Sequence, residues 1–141
     1  MTPREARARF ESKPIARLAT VTPGGRPHLV PVTFALDGDT IYTAIDAKPK
    51  RGSTLQRVTN VATNPHVTLL VDEYDDDWRR LWWVRADGLA SVEETGPRVL
   101  SLLRGRYEQY RAVAITGPVI AVMVDRWVGW TAEQRSQGSP G

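Results

Sequence analysis

The feature that most constrains this chain is a series of short β-rich runs cut by residues that force reversals. "IARLATV", "PGGRP", "HLVPVTFAL", "DGD" and "TIYTAI" follow one another over residues 15–45. Runs rich in Val, Ile, Thr and Phe, separated by Gly, Pro and Asp, read as strands joined by tight turns, which makes the opening an antiparallel meander. In the second run Val30, Val32, Phe34 and Leu36 share one face. Pro31 lacks the N–H that a ladder needs, so it belongs on an edge or at a bulge.

Further along, "HVTLLVDEY" and "RRLWWVRADGLASVEE" supply two more strands, and the adjacent Trp82 and Trp83 must point to opposite faces of the second. "VIAVMVDRWVGW" is apolar on both faces for much of its length, as a central strand would be. Helical period appears in three places. "TPREARARFES" has Thr2 as N-cap, Pro3 at the first position and Glu5 in the first turn, and Pro14 ends it. From Ser53 onward Leu55, Val58 and Ala62 fall on one side, with Gln56, Arg57, Asn60 and Thr63 elsewhere, and Asn64-Pro65 closes the segment. Between residues 95 and 111, Val99, Leu103, Tyr107 and Tyr110 recur at helical spacing.

Strands that do not alternate regularly with helices argue against a doubly wound parallel sheet. The expectation is a mainly β protein, a six-stranded antiparallel barrel with a few helices at the crossings. A length of 141 residues suits one domain, expected over 1–132. The polar, Gly/Pro-rich end "TAEQRSQGSPG" predicts a flexible tail over 133–141 with no packing role.

Several chemistries are excluded by inspection. There is no Cys, so disulfides, thiolate metal sites and Cys nucleophiles are out. His28 and His66 lie on separate predicted strands, which leaves no His/Cys zinc site, and no phosphate-loop, dinucleotide, zinc-protease or nucleophile-elbow motif occurs. No catalytic residue and no metal site therefore emerge. The run "DEYDDDW" fails as a calcium loop, because Asp77 stands where Gly is needed and Trp83 where an acid is needed. It reads as a solvated turn whose charges keep an edge from pairing. The net charge of +3 is mild, and the acidic run would repel a phosphate backbone, so nucleic acid is not an expected partner. No apolar run approaches the length of a membrane span and the charged start has no apolar leader core, which predicts no membrane association and a cytoplasmic protein.

One stretch does suggest binding. "DAKPKRGSTLQR", residues 46–57, gathers Lys48, Lys50, Arg51 and Arg57 where a strand hands over to a helix. Unpaired N–H groups at a helix start, together with mobile positive charge and the donor fork of Arg57, suit a phosphate, which Ser53 or Thr54 could also contact. On composition alone a solvated basic loop explains the same residues. Five Trp is a high number for this length, and Trp82, Trp83 and Trp130 could pack on a planar ligand or simply fill a core.

The order "LATVTPGGRPHLVPVTF", "IYTAIDAKPKR", "LQRVTNVATNPHVTLLVD" resembles the split-barrel flavin-binding superfamily that includes pyridoxamine 5′-phosphate oxidase. "LVDEYDDDWRRLWWVRADGLA" is similar to small members of it that use the deazaflavin coenzyme F420. The resemblance implies an FMN-binding-like split barrel, a homodimer with cofactor sites between the subunits, and hydride transfer between the deazaflavin C5 and a small organic substrate. It also implies the site: Lys48, Lys50, Arg51 and Arg57 at the cofactor phosphate, with Asn60 on the same helix. Thr43, Ala44 and Ile45 would line the ring on one strand and Pro31, Val32 and Thr33 on the facing one, with Trp83 as the aromatic contact. The expected function is an F420-dependent oxidoreductase, in the reductase direction. The alternatives are an FMN enzyme like the pyridoxamine phosphate oxidases and an F420 carrier without turnover. Tyr42, Tyr74 and Tyr107 are candidate proton donors, and Arg111 and Arg126 candidates for the cofactor tail.

Overall fold

Residues 1–45, 55–113, 115 and 117–132 are described by a computed structural model. The first hairpin forms where the Gly/Pro cluster predicts it. β1 (Ala16–Val21) pairs antiparallel with β2 (Pro27–Val32), in register from Ala16↔Val32 to Val21↔Pro27. In the turn Gly25 takes φ 86°, a conformation that costs a residue without Cβ little. The Thr22 N–H donates to the Arg26 carbonyl (2.8 Å), and Thr22 Oγ1 accepts from the Arg26 N–H (2.9 Å).

The run "HLVPVTFAL", expected as one strand, divides in two. β2 ends at Val32 and β3 (Ala35–Asp37) starts after Thr33 and Phe34, then turns at Gly38 into β4 (Thr40–Ala44). With β5 (His66–Glu73), β6 (Trp82–Glu93) and β7 (Val119–Thr131) the sheet has, among the described residues, seven strands, one more than expected, in the order β2-β1-β5-β6-β7-β4-β3. Every pairing is antiparallel. β2 and β3 stand at opposite edges although three Cα steps separate Val32 from Ala35. Those steps span at most about 11 Å, whereas the edges of a flat seven-stranded sheet would lie about 29 Å apart. The sheet has to curl until its edges meet, which makes it the expected barrel, fastened at residues 33–34. Pro31 lies on an edge strand as predicted, and β7, between β6 and β4, is central as predicted.

The inward faces of the strands bury Leu18, Ile41, Leu69, Val71, Val84, Ile120 and Val122 completely. α1 (Pro3–Glu11) starts with the capping box that Thr2 and Glu5 predict, and drives Phe10 inward to meet Phe34 (4.8 Å between ring centroids) and, edge-on, Trp127 (5.4 Å). α2 (Gln56–Thr63) lies over β1 and β6. Of the expected face Leu55 and Val58 pack against the core, but Ala62 is exposed and Asn60 and Val61 are buried in its stead. Asn60 can be buried because its amide is satisfied inside: Nδ2 donates to Thr20 Oγ1 (2.9 Å) and Oδ1 accepts from Gln56 Nε2 (2.7 Å).

α3 (Pro97–Arg106) and the short α4 (Gln109–Ala112) replace the single expected third helix and form a second, smaller core, in which Leu103 meets Ala35 and Val119. Arg98 ties α3 to β3, donating to both carboxylate oxygens of Asp37 (2.6 and 3.0 Å). That hydrogen-bonded guanidinium holds the Asp37 carboxyl below its ordinary range, so the clamp is intact at neutral pH and is lost as pH falls through the depressed value. The acidic run is a turn between β5 and β6 with an exposed 3₁₀ segment at Trp78–Arg80, where Arg79 pairs with Asp77 through two 3.0 Å contacts. Among the described residues no helix is long and apolar enough to cross a membrane.

β6 and β7 shift register between Asp87 and Gly88, a bulge that bends this long pair around the barrel. Gly88 is buried, and a Cβ there would press into the Met123 carbonyl oxygen and come within 3.0 Å of Val122 Cγ1. Gly88→Ala should therefore overpack the bulge and cost about 1–3 kcal/mol, read as a lower urea midpoint with an unchanged m-value.

Candidate functional site

The split where β2 gives way to β3 leaves a cavity of about 300 Å³. Pro31, Val32 and Thr33 line it from the end of β2, Thr43, Ala44 and Ile45 from the end of β4, and Arg57 from the first turn of α2. All seven are residues that the family resemblance selected, and the barrel's closure brings them together. The far wall is Tyr110, Val113 and Ile115, in and just after α4, which sequence reasoning did not assign to a site. Tyr110 was visible only as one member of a helical stripe, and nothing local says that this stripe returns to cover the strand ends.

The cavity is polar at two places. Arg57 is half-buried at one wall, and at another the Tyr110 and Thr33 hydroxyls lie 2.6 Å apart. The Tyr110 ring stands edge-on to Tyr107 (5.6 Å, 82°), and the Tyr110 carbonyl accepts from Arg104 Nε (3.2 Å). Tyr107, a candidate proton donor from sequence, serves the fold instead. Its oxygen accepts from the Phe34 N–H (3.0 Å) and Arg106 Nε (3.0 Å), and its one hydrogen faces the carbonyls of Pro14 (2.8 Å) and Phe34 (2.9 Å). Tyr42 packs under α3 and Tyr74 is exposed, so neither lines this cavity.

Other expected site residues lie elsewhere. The Asn60 side chain is turned inward to Thr20 and Gln56, away from the cavity lining. Trp83 lines a second, more open cavity of about 500 Å³ with Trp82, Trp130, Tyr74, Leu81 and Leu70. It is three strands from Pro31 across the outer face of the sheet, about 15 Å at the usual strand spacing. Lys48, Lys50 and Arg51, with Ser53 and Thr54, lie outside the described residues. Arg111 donates to the Arg104 carbonyl (3.0 Å) and Arg126 is exposed on β7, so neither lines the first cavity. Among the described residues no group of His, Asp and Glu could hold a metal ion.

The profile of the pyridoxamine 5′-phosphate oxidase family matches residues 2–135. This chain belongs to that family. Its curled antiparallel sheet is the family's split barrel, a flavin-binding fold whose members include oxidoreductases. Solved structures agree on the fold. A conserved hypothetical protein from Mycobacterium tuberculosis superposes with a TM-score of 0.78 at 21% identity, over 100% of this chain and 91% of the other. A candidate pyridoxamine 5′-phosphate oxidase from Listeria innocua gives 0.66 at 25% identity, over 89% and 95%. A FAD-binding protein from Mesorhizobium loti gives 0.67 at 18%, over 92% and 92%. No protein of curated function matches the chain.

Tyr107→Phe removes the hydroxyl that pairs with the Phe34 N–H and carbonyl while keeping the ring. It should cost about 1–3 kcal/mol of stability, measured by urea denaturation, and an unchanged midpoint would contradict the structural role given to this hydroxyl.

Proposed function

We propose that the chain is an oxidoreductase that holds a flavin-type cofactor in the cavity between β2, β4 and α2, with coenzyme F420 as the first reading and FMN as the second. The observation that carries the proposal is the lining itself: two strand ends, each with one threonine among small or apolar residues, face each other, with a half-buried arginine at one wall. Such a site accepts a flat apolar ring and a nearby anion, and its volume sits at the lower end for small-molecule sites, enough for a ring system. Membership of the pyridoxamine 5′-phosphate oxidase family, and a neighbour described as FAD-binding, support flavin-type chemistry. The F420 preference rests on the resemblance around "DEYDDDWRRLWWV".

When bound, the cofactor supplies two-electron hydride transfer, and the protein supplies binding and orientation. Arg57 offers a fork of donors suited to phosphate oxygens, assisted on this reading by Lys48, Lys50 and Arg51. Val32, Thr43, Ala44 and Ile45 would line the ring and exclude water from it, leaving the protein to orient a small organic substrate beside it. A second copy of the chain is part of the proposal. The outer sheet face that carries Leu29, Leu70, Leu89 and Met123 leaves these side chains 37–70% exposed, an apolar surface of the kind that subunits cover. A contact between Trp83 and the ring also needs that second copy, given its distance from the cavity.

The test is a titration of the purified protein with F420 and with FMN, followed by Trp quenching. Arg57→Ala should weaken binding by about 1.5–3 kcal/mol, roughly 10- to 150-fold, and raised salt should narrow the gap. Equal affinity of wild type and variant would remove the anchoring role. Failure of the wild type to bind either compound would overturn the cofactor reading. Light-scattering mass measurement should give a dimer, and Met123→Lys should shift it toward monomer.

A further inference from the structure

The Tyr110 and Thr33 hydroxyls form a pair at the wall of the cavity, 2.6 Å apart. The positions of both are fixed from outside the cavity. Tyr110 stacks edge-on against Tyr107, which is itself held at Phe34, Pro14 and Arg106. Thr33 is half of the two-residue link that closes the barrel. Two hydroxyls carry two hydrogens, and their mutual bond uses one. The pair is left with one hydrogen to give to a guest and with oxygen lone pairs to receive one. Val113 and Ile115, which complete this wall, have no side-chain hydrogen-bonding group.

We infer that Thr33 and Tyr110 act together as a positioning pair that hydrogen-bonds the polar edge of the planar ring bound in the cavity, fixing the ring's rotation in its plane. This deepens the proposed function and rests on it. The guest's chemistry is a flat heterocycle with a carbonyl or ring-nitrogen acceptor on the edge away from its anionic tail. Arg57 and the hydroxyl pair divide the work. The first reads charge and the second reads the ring edge, so removing one should leave the signature of the other. Because each hydroxyl orients its neighbour, the loss of either should disable the pair, and the two losses should not add.

The experiment titrates wild type, Tyr110→Phe, Thr33→Val, Thr33→Ser and the Tyr110→Phe/Thr33→Val double variant with F420 and FMN, at low and high salt, recording the visible absorption band of the bound ligand. Tyr110→Phe and Thr33→Val should each weaken binding about 3- to 10-fold and shift the band, and the double variant should be no weaker than either single one. Thr33→Ser, which keeps the hydroxyl, should behave as wild type and shows that a weakened Thr33→Val is not merely misfolded. The salt dependence should be unchanged in these variants, in contrast to Arg57→Ala. If the wild type binds and Tyr110→Phe binds equally with an unshifted band, the positioning role is overturned while the cofactor reading stands. If the wild type binds neither compound, both fall.

Discussion

The structure depends on closing a sheet whose two edges belong to neighbouring pieces of chain. Two residues, Thr33 and Phe34, would suffice for a hairpin turn, yet β2 and β3 do not pair with each other, and each is a terminal strand of the same sheet. The junction must therefore be held by something other than a ladder. A tyrosine does this. The Tyr107 oxygen meets both the N–H and the carbonyl of Phe34, and the Phe34 ring packs against Phe10 with the Arg106 guanidinium over it at 4.5 Å. Backbone polar groups at a break in a sheet are costly to bury unpaired, and here one hydroxyl satisfies two of them while the ring beside it seals the core.

Much of this was legible locally. The hairpin at residues 22–26, the reversal at Gly38 and the capping box at Thr2 each depend on a few adjacent residues, and each forms where its residues ask for it. What the sequence hid is non-local. An apolar alternation continues from Val30 to Leu36, so period alone joins β2 to β3, and only the assembled sheet shows that the run crosses from one edge to the other. α2 is similar. Periodicity favours Ala62 over an asparagine for the core, and the competing term, the Thr20 hydroxyl waiting on β1, lies forty residues away in the chain.

The candidate site divides along the same line. The ends of β2 and β4 and the first turn of α2 come from the family resemblance, and the barrel gathers Pro31, Val32, Thr33, Thr43, Ala44, Ile45 and Arg57 around one cavity. Asn60 was placed there because it shares a helix with Arg57, and three positions on is a neighbouring place on the helix surface, but its amide finds its partners inside, at Thr20 and Gln56. The wall built by Tyr110, Val113 and Ile115 was out of reach, since a stripe of apolar residues gives the helix face and not the surface it meets.

Tyr107 and Tyr110 are three residues apart, and one secures the shell while the other faces whatever the shell contains. Variation in the stretch after α3 is thereby tethered. Exchange of Val113 or Ile115 would reshape the cavity, but a drift that displaces the first tyrosine would open the seam. The freedom to remodel the hollow and the obligation to stay folded are written within a single turn of chain.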